Sequence, residues 1–190
     1  MKSGDIIAIG IAVAIAVVAA YIIFPDTVGE TVNSIVDAVV IMTTSEEYRL
    51  SQLESETQTM VRQLIQTLAD HDIQVHVGQT LRTTAEEKTA IDSGHSAVKS
   101  HSWHESGRAV DLYPIDPTTG QPDMNGTRDD LFLQMQQWAV SLGFHQIAYD
   151  DTWNRKYQTN SQGKKFWDGG HVEWHGAYAN ATDAYNAYIA

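Results

Sequence analysis

Two short polar segments constrain this chain more than any other feature, because the chemistry they carry works only if the fold brings them together. The first is Ser102-Trp103-His104-Glu105-Ser106-Gly107-Arg108-Ala109-Val110-Asp111, and the second is Asp168-Gly169-Gly170-His171-Val172-Glu173-Trp174. Zinc takes neutral imidazole and carboxylate ligands, and a catalytic zinc uses three protein ligands and leaves a fourth position open. His104 and Asp111 supply two such ligands, with His171 as the third and His175 as its rival. His104 and Asp111 lie seven positions apart and do not share a helical face, so a turn at Gly107 has to bring them together. On a strand, His171 and Glu173 point the same way. His171 then meets the metal while Glu173 orients a ligand from behind. Asp168, three residues before His171, is placed to handle the proton of a reacting water. Taken singly, a loop histidine and a strand-end aspartate are ordinary polar residues near turns.

The pattern Ser-x-His-x-x-Gly-x-Ala-x-Asp followed by Asp-x-x-His-x-Glu resembles the zinc peptidases of the D-alanyl-D-alanine carboxypeptidase and L-alanyl-D-glutamate endopeptidase group, which includes VanY-type enzymes and phage endolysins. The upstream run Gln79-Thr80-Leu81-Arg82-Thr83-Thr84-Ala85-Glu86-Glu87 is similar to that group's Arg-Thr/Ser-x-x-x-Gln segment, with Glu87 where glutamine is common. The resemblance covers about residues 72 to 175. It implies a Zn2+ cofactor on His104, Asp111 and His171, since His171 rather than His175 carries the Asp-x-x-His spacing. It also implies Asp168 as the catalytic acid-base and peptidoglycan stem peptides as the partner, with Arg82 and Ser102 as substrate-binding residues: Arg82 on a substrate carboxylate or the scissile carbonyl, and Ser102 on substrate unless it holds the loop instead. Aspartate at 168, where many relatives have glutamate, leans toward endopeptidase activity. Two other readings compete: a non-catalytic binding module on the same fold, like the Hedgehog-type signalling domains, and a zinc N-acetylmuramoyl-L-alanine amidase.

The formal net charge of −12 and the pI near 4.9 exclude the basic surface that a nucleic-acid partner needs. The chain has no cysteine. Neither a disulfide framework nor a thiolate metal site is available, and zinc has to be held by histidine and carboxylate.

Ile6 to Phe24 is a charge-free apolar run closed by Pro25. A helix of that length spans about 28 Å, close to the hydrocarbon thickness of a bilayer. The apolar core of a cleaved signal peptide is usually only ~7–15 residues long. Residues 1–26 therefore read as a transmembrane anchor, with the lipid bilayer as partner through 6–24; a cleaved signal peptide is the competing reading, with Ala12, Ala14, Ala16, Ala19 and Ala20 offering a cleavage site. Lys2 flanks one side, while Asp26, Glu30, Asp37, Glu46 and Glu47 precede Arg49 on the other. That bias puts the N-terminus in the cytoplasm and the rest outside, in the periplasm or cell wall, or in a phage virion membrane. Val28, Val32, Ile35, Val36, Val39 and Val40 recur at helical spacing and make residues 27–44 an amphipathic stalk against the bilayer or a partner, or else a helix packed on the catalytic domain.

Residues 45–190 form the remaining domain. A hydroxyl cap and acidic first turn at Thr44 to Glu47 open one long helix running to about Ala69. Gln74 to Val77 alternates as a strand, Thr84 to Asp92 reads as a helix, and Ser93 to Ser100 as a loop over the site. Ala109 to Tyr113 is a strand stopped by Pro114, Arg128 to Leu142 a helix capped by Gly143, and Phe144 to Tyr149 a strand. Asp150 to Gly170 reads as surface loop, His171 to Trp174 as a strand and Thr182 to Ile189 as a terminal helix. Trp138 belongs to the core, whereas Trp103, Trp153 and Trp167 are candidates to line a groove. The mixture predicts an α+β fold, a small antiparallel sheet flanked by helices and preceded by the transmembrane helix.

Overall fold

The computed structural model describes residues 45–98 and 100–190. The anchor at 1–26 and the stalk at 27–44 lie outside the described residues. Among the described residues, no helix is long and apolar enough to cross a membrane.

The elements in order are α1 (Ser55–Ala69), β1 (Val75–Val77), α2 (Thr84–Asp92), a 3-10 turn (Trp103–Ser106), β2 (Ala109–Asp116), β3 (Gln121–Pro122), α3 (Asp129–Ser141), β4 (Gln158–Thr159), β5 (Lys165–Phe166), β6 (His171–Glu173) and α4 (Ala181–Tyr188). Strand β2 organises the sheet by serving three antiparallel partners in succession. Its first third pairs with β6 (Ala109↔Glu173, Val110↔Val172, Asp111↔His171). Its middle pairs with β1 (Leu112↔Val77 to Pro114↔Val75), and its end with β3.

Side chains alternate across a strand, so β2 has two unlike faces. Val110 and Leu112, with Val172 of β6 and Val77 of β1, face the core. Val61, Leu64 and Leu68 of α1 and Phe132, Met135 and Ala139 of α3 complete that layer, and most of these residues are fully buried. Burying each large aliphatic or aromatic side chain contributes about 1.5–3 kcal/mol. Asp111 and Tyr113 point the other way, with His171 and Glu173 beside them. The site therefore stands on the polar face of a sheet whose apolar face is clamped by two helices.

Four expectations need correction. The long helix is broken: residues 45–51 are helical, then residues 52–54 leave the helix before α1 begins. Glu54 causes the restart, because its carboxylate accepts from the N–H groups of Glu56 and Thr57 at 3.1 and 3.2 Å. Its own N–H donates to the Gly107 carbonyl at 3.0 Å. Gly107 adopts φ +64, and a Cβ there would sit 2.9 Å from the Glu54 nitrogen, so only glycine fits this turn.

Second, β2 does not stop at Pro114. Even-numbered residues of β2 point their backbone groups toward the edge shared by β6 and β3. Leu112 uses that edge to donate to Gly170 O, and the Pro114 carbonyl accepts from Asp123 N at 2.9 Å. The missing N–H of Pro114 falls between the end of the β6 pairing and the start of the β3 pairing, where the ladder asks for no donor. Third, Phe144 to Tyr149 is no strand. It makes only single bridges, His145↔Glu173 and Tyr149↔Arg155. Fourth, the 150–170 segment contains the β4–β5 hairpin. Its turn is fastened to the end of α2 by Asn160 Nδ2 to Gly94 O (2.6 Å) and Ser161 Oγ to Ile91 O (2.7 Å). Trp138 is partly buried against the core, and Trp103 lines the cavity described below. Trp167 instead packs edge-on against Phe132 and donates to Ala148 O at 2.7 Å.

Candidate active site

Each half of the site is held through hydrogen bonds to its backbone. The turn carrying His104 is held by Gly107 on Glu54, as above, and by Arg82 N on the His104 carbonyl at 3.2 Å. The approach to β6 is held from below by Gln136 of α3. This fully buried residue donates to Gly169 O and His171 O at 3.0 and 2.9 Å. At Gly170 a Cβ would lie 2.9 Å from Leu112 O and 3.1 Å from the Tyr113 ring, so the chain can run this close to β2 only as glycine.

His104, Asp111 and His171 meet on the polar face. His104 Nε2 is 3.2 Å from His171 Nδ1 and 3.4 Å from Asp111 Oδ1, and His171 Nδ1 is 3.3 Å from Asp111 Oδ1. Donor atoms bound to one tetrahedral zinc at ~2.0–2.2 Å stand ~3.3–3.6 Å apart, so this triangle has the size of one face of such a site. The ring tautomers agree. His104 Nδ1 lies 2.6 Å from Thr80 O, a group that can only accept, so Nδ1 carries the proton and Nε2 presents its lone pair. His171 Nε2 lies 3.1 Å from Glu173 Oε2, which leaves the Nδ1 lone pair facing inward. Two lone pairs and a carboxylate oxygen converging on one point call for a cation.

The surrounding charges favour positive charge at this point, carried in the metal-free chain by the His171 ring, whose inner proton a metal ion would replace. Burial works to raise the Asp111 carboxyl, but His104 and His171 outweigh it and hold it far below the usual carboxylate range. Burial likewise opposes the charge on His171, yet its bonds to Asp111 and Glu173 and the charge of Asp168 push it well above the ordinary histidine value. Glu173 is held down at about 2, because hydrogen bonds from His171 and His175 overcome its burial. Asp168 behaves differently. Burial raises its carboxyl, the charge of Asp111 raises it further, and His171 only partly offsets them.

A cavity of about 630 Å³ opens over this cluster. Asp168 and Tyr113 line it beside the three converging residues, Arg82 lies on another wall, and His95 to Val98 pass along its rim. Arg82 sits in the loop before α2, donating to Glu87 Oε2 and Gln79 Oε1, both at 2.6 Å. Ser102 is buried, and its hydroxyl donates to Glu87 Oε2 at 2.8 Å, so its hydrogen bond holds the loop. His175 does not join His104 and Asp111. It groups with His145 and Glu173, donating to Glu173 Oε1 at 2.7 Å and stacking on Trp103 at 4.0 Å. The His145 and His175 rings are stacked at 4.4 Å, 20° from parallel. Their in-plane lone pairs therefore run side by side instead of converging.

Two residues around this site, Thr80 and Tyr113, were given no part in the sequence reading, and a third, Glu87, entered it only as a departure from the family's glutamine. Thr80 fixes the His104 tautomer through a backbone carbonyl, which no residue type announces. Tyr113, its hydroxyl pushed up to about 12 by burial and by the charges of Asp111 and Asp168, was legible only from strand alternation. Glu87 is 1 % exposed, while its neighbour Glu86 completes a capping box with Thr83. The paired glutamates look alike in sequence and do opposite things.

Residues 40–174 match the model of the family described as phage L-alanyl-D-glutamate peptidase. No curated protein matches. Among solved structures, the chain is similar to the L-Ala D-Glu endopeptidase ChiX of Serratia marcescens, at 19% identity over 67% of this chain and 84% of that one, with a TM-score of 0.44. It is also similar to VanYB in complex with D-alanine-D-alanine (14% identity, 72% and 77% coverage, TM-score 0.46). A third is a variant of the D,D-pentapeptidase VanY from a VanB-type resistance cassette in complex with Zn(II) (14% identity, 73% and 79% coverage, TM-score 0.45). The family match reaches from ahead of α1 to the end of β6 and takes in every residue of the converging cluster, so the chain belongs to the phage L-alanyl-D-glutamate peptidase family.

Proposed function

We propose that the chain is a zinc-dependent endopeptidase that cuts the L-alanyl–D-glutamate bond of peptidoglycan stem peptides. The observation that carries this reading is the triangle of His104 Nε2, Asp111 Oδ1 and His171 Nδ1, 3.2–3.4 Å on a side, beside a carboxyl at Asp168 whose proton affinity is raised. Zinc supplies a Lewis acid and a water of lowered pKa at neutral pH. His104, Asp111 and His171 hold it, with Thr80 O and Glu173 fixing the two rings. Asp168 takes the proton of the attacking water and returns it to the leaving amine, a role favoured by a carboxyl raised toward the operating pH. Arg82 offers N–H donors to the scissile carbonyl.

The presence of Asp168, a carboxyl lining the cavity beside the three converging residues, favours the enzyme over a non-catalytic module on this fold. An amidase would release whole peptides from the lactyl group. Digestion of purified peptidoglycan followed by mass spectrometry separates these readings by product. The proposal also places the chain at a membrane, anchored through residues 6–24 with the catalytic domain outside the cytoplasm. Its support is the length and freedom from charge of that run.

A further inference from the structure

Four hydroxyls line the cavity, those of Ser93, Ser96, Ser102 and Tyr113, and three of them are spent. Ser93 Oγ donates to Ala90 O at 3.2 Å, and the Ser96 and Ser102 hydroxyls donate to Glu87 at 2.7 and 2.8 Å. Tyr113 has no such partner among the described residues. Burial and the charges of Asp111, Asp168 and Arg82 act on its hydroxyl, and no hydrogen bond does. A phenol with an ordinary pKa of about 10 keeps its proton at neutral pH. Tyr113 is therefore a free donor standing among the residues that the proposed reaction uses.

The strands hold its ring in place. Tyr113 pairs with His76 of β1, yet its ε-carbons lie further along, toward Asp111. Gly78 stands opposite Asp111 and donates to its carbonyl. A Cβ on Gly78 would sit 2.6 Å from Tyr113 Cε2 and 3.0 Å from Asp111 O. On the other edge Gly170 stands opposite Leu112 and accepts its N–H. A Cβ on Gly170 would sit 3.1 Å from Tyr113 Cε1 and 2.9 Å from Leu112 O. The ring thus lies back along β2 between two glycines, its hydroxyl end toward the level where Asp111 meets His104 and His171. Neither glycine has a positive φ, so room for the ring and the strand backbone accounts for both.

We propose that Tyr113 is a catalytic residue whose hydroxyl donates to the scissile carbonyl oxygen as that oxygen turns negative, sharing it with Arg82. This rests on the peptidase reading above and deepens it. As water adds to the carbonyl carbon, the electron pair of the C=O bond moves onto oxygen. Asp168 takes the proton of that water, while Tyr113 keeps its own and contributes only a hydrogen bond. The carbon–nitrogen bond then breaks, and the proton on Asp168 passes to the leaving amine. A donor held in position beforehand stabilises such a charge without reorganising during the reaction.

The test compares Tyr113→Phe with the parent, both as zinc-loaded full chains. The change keeps the ring, so zinc content by elemental analysis stays at the parent level. On acetyl-L-alanyl-γ-D-glutamyl-L-lysine, kcat falls ~100-fold or more, the scale for one oxyanion donor, and KM stays within ~3-fold. Calorimetry reads the same effect without turnover. A phosphinate analogue, with an anionic tetrahedral phosphorus in place of the L-alanyl carbonyl, binds Tyr113→Phe at least ~10-fold more weakly. The intact peptide, measured on Asp168→Asn chains, binds equally with and without the Tyr113→Phe change. A variant with parent-like kcat and phosphinate affinity overturns the proposal. So does one that weakens peptide and phosphinate alike, which makes the hydroxyl a ground-state contact, and so does one that loses its zinc, which makes the residue structural. A parent chain that binds neither probe contradicts the proposed function and this inference with it. A parent chain that binds both, in a ratio that Tyr113→Phe leaves unmoved, contradicts this inference alone.

Discussion

Asp111 and His171 face each other across β2 and β6 as a pair that shares no backbone hydrogen bond. The Asp111 N–H donates to Gln79 O, and its carbonyl accepts from Gly78 N, so both backbone groups are spent on the opposite edge. In antiparallel sheets such pairs bring side chains closest, and here Asp111 Oδ1 comes within 3.3 Å of His171 Nδ1. The register of a three-residue strand thus delivers one half of the metal-binding cluster to the other. A one-residue slip would turn His171 into the core.

From that geometry, His104→Ala, Asp111→Ala and His171→Ala should each abolish zinc retention, while His175→Ala keeps it. Elemental analysis of the purified variants decides. Zinc retained by the His171 variant and lost by the His175 variant would reassign the third ligand.

Asp168→Asn should keep both fold and zinc and lower turnover by at least ~100-fold, the usual scale for a general acid-base group. Near-normal turnover with zinc bound would move the proton chemistry to another residue.

Glu173→Gln should weaken zinc binding by ~10–100-fold in chelator competition, because the His171 ring loses the carboxylate that orients it. The same variant carries a pH signature in the metal-free chain. Glu173 is depressed from 4.5 to about 2, so its stabilisation is present above pH ~4.5 and is lost as pH falls toward ~2, amounting to about 3 kcal/mol. Thermal melts between pH 6 and 2 should show a shallower decline for Glu173→Gln than for the parent chain. Parallel declines would remove Glu173 from the account.

The sheet–helix architecture could be read from local signals such as the strand alternation at 109–113, whereas the converging residues were legible through the family resemblance, His171 by its Asp-x-x-His spacing. The break before α1 was hidden because a glutamate at position 54 is an unusual cap, and its partner at Gly107 is distant in sequence. The β4–β5 hairpin was missed because strands of two residues leave no periodicity to detect. Glu87 was legible only as standing where glutamine is common, and its bonding was not. Its burial comes from Ser96 and Ser102, residues that only the folded chain places beside it.

The proposed anchor predicts that the full chain stays with membranes through high-salt and alkaline washes, and that deleting residues 1–26 releases it. Free release of the intact chain would remove the membrane from the account.

The most direct test of the central claim is mass spectrometry of purified peptidoglycan digested by the zinc-loaded chain. The account predicts new D-glutamate N-termini and fragments ending in L-alanine, absent with Asp168→Asn. Loss of only the terminal D-alanine, or cleavage between the lactyl group and L-alanine, would contradict it.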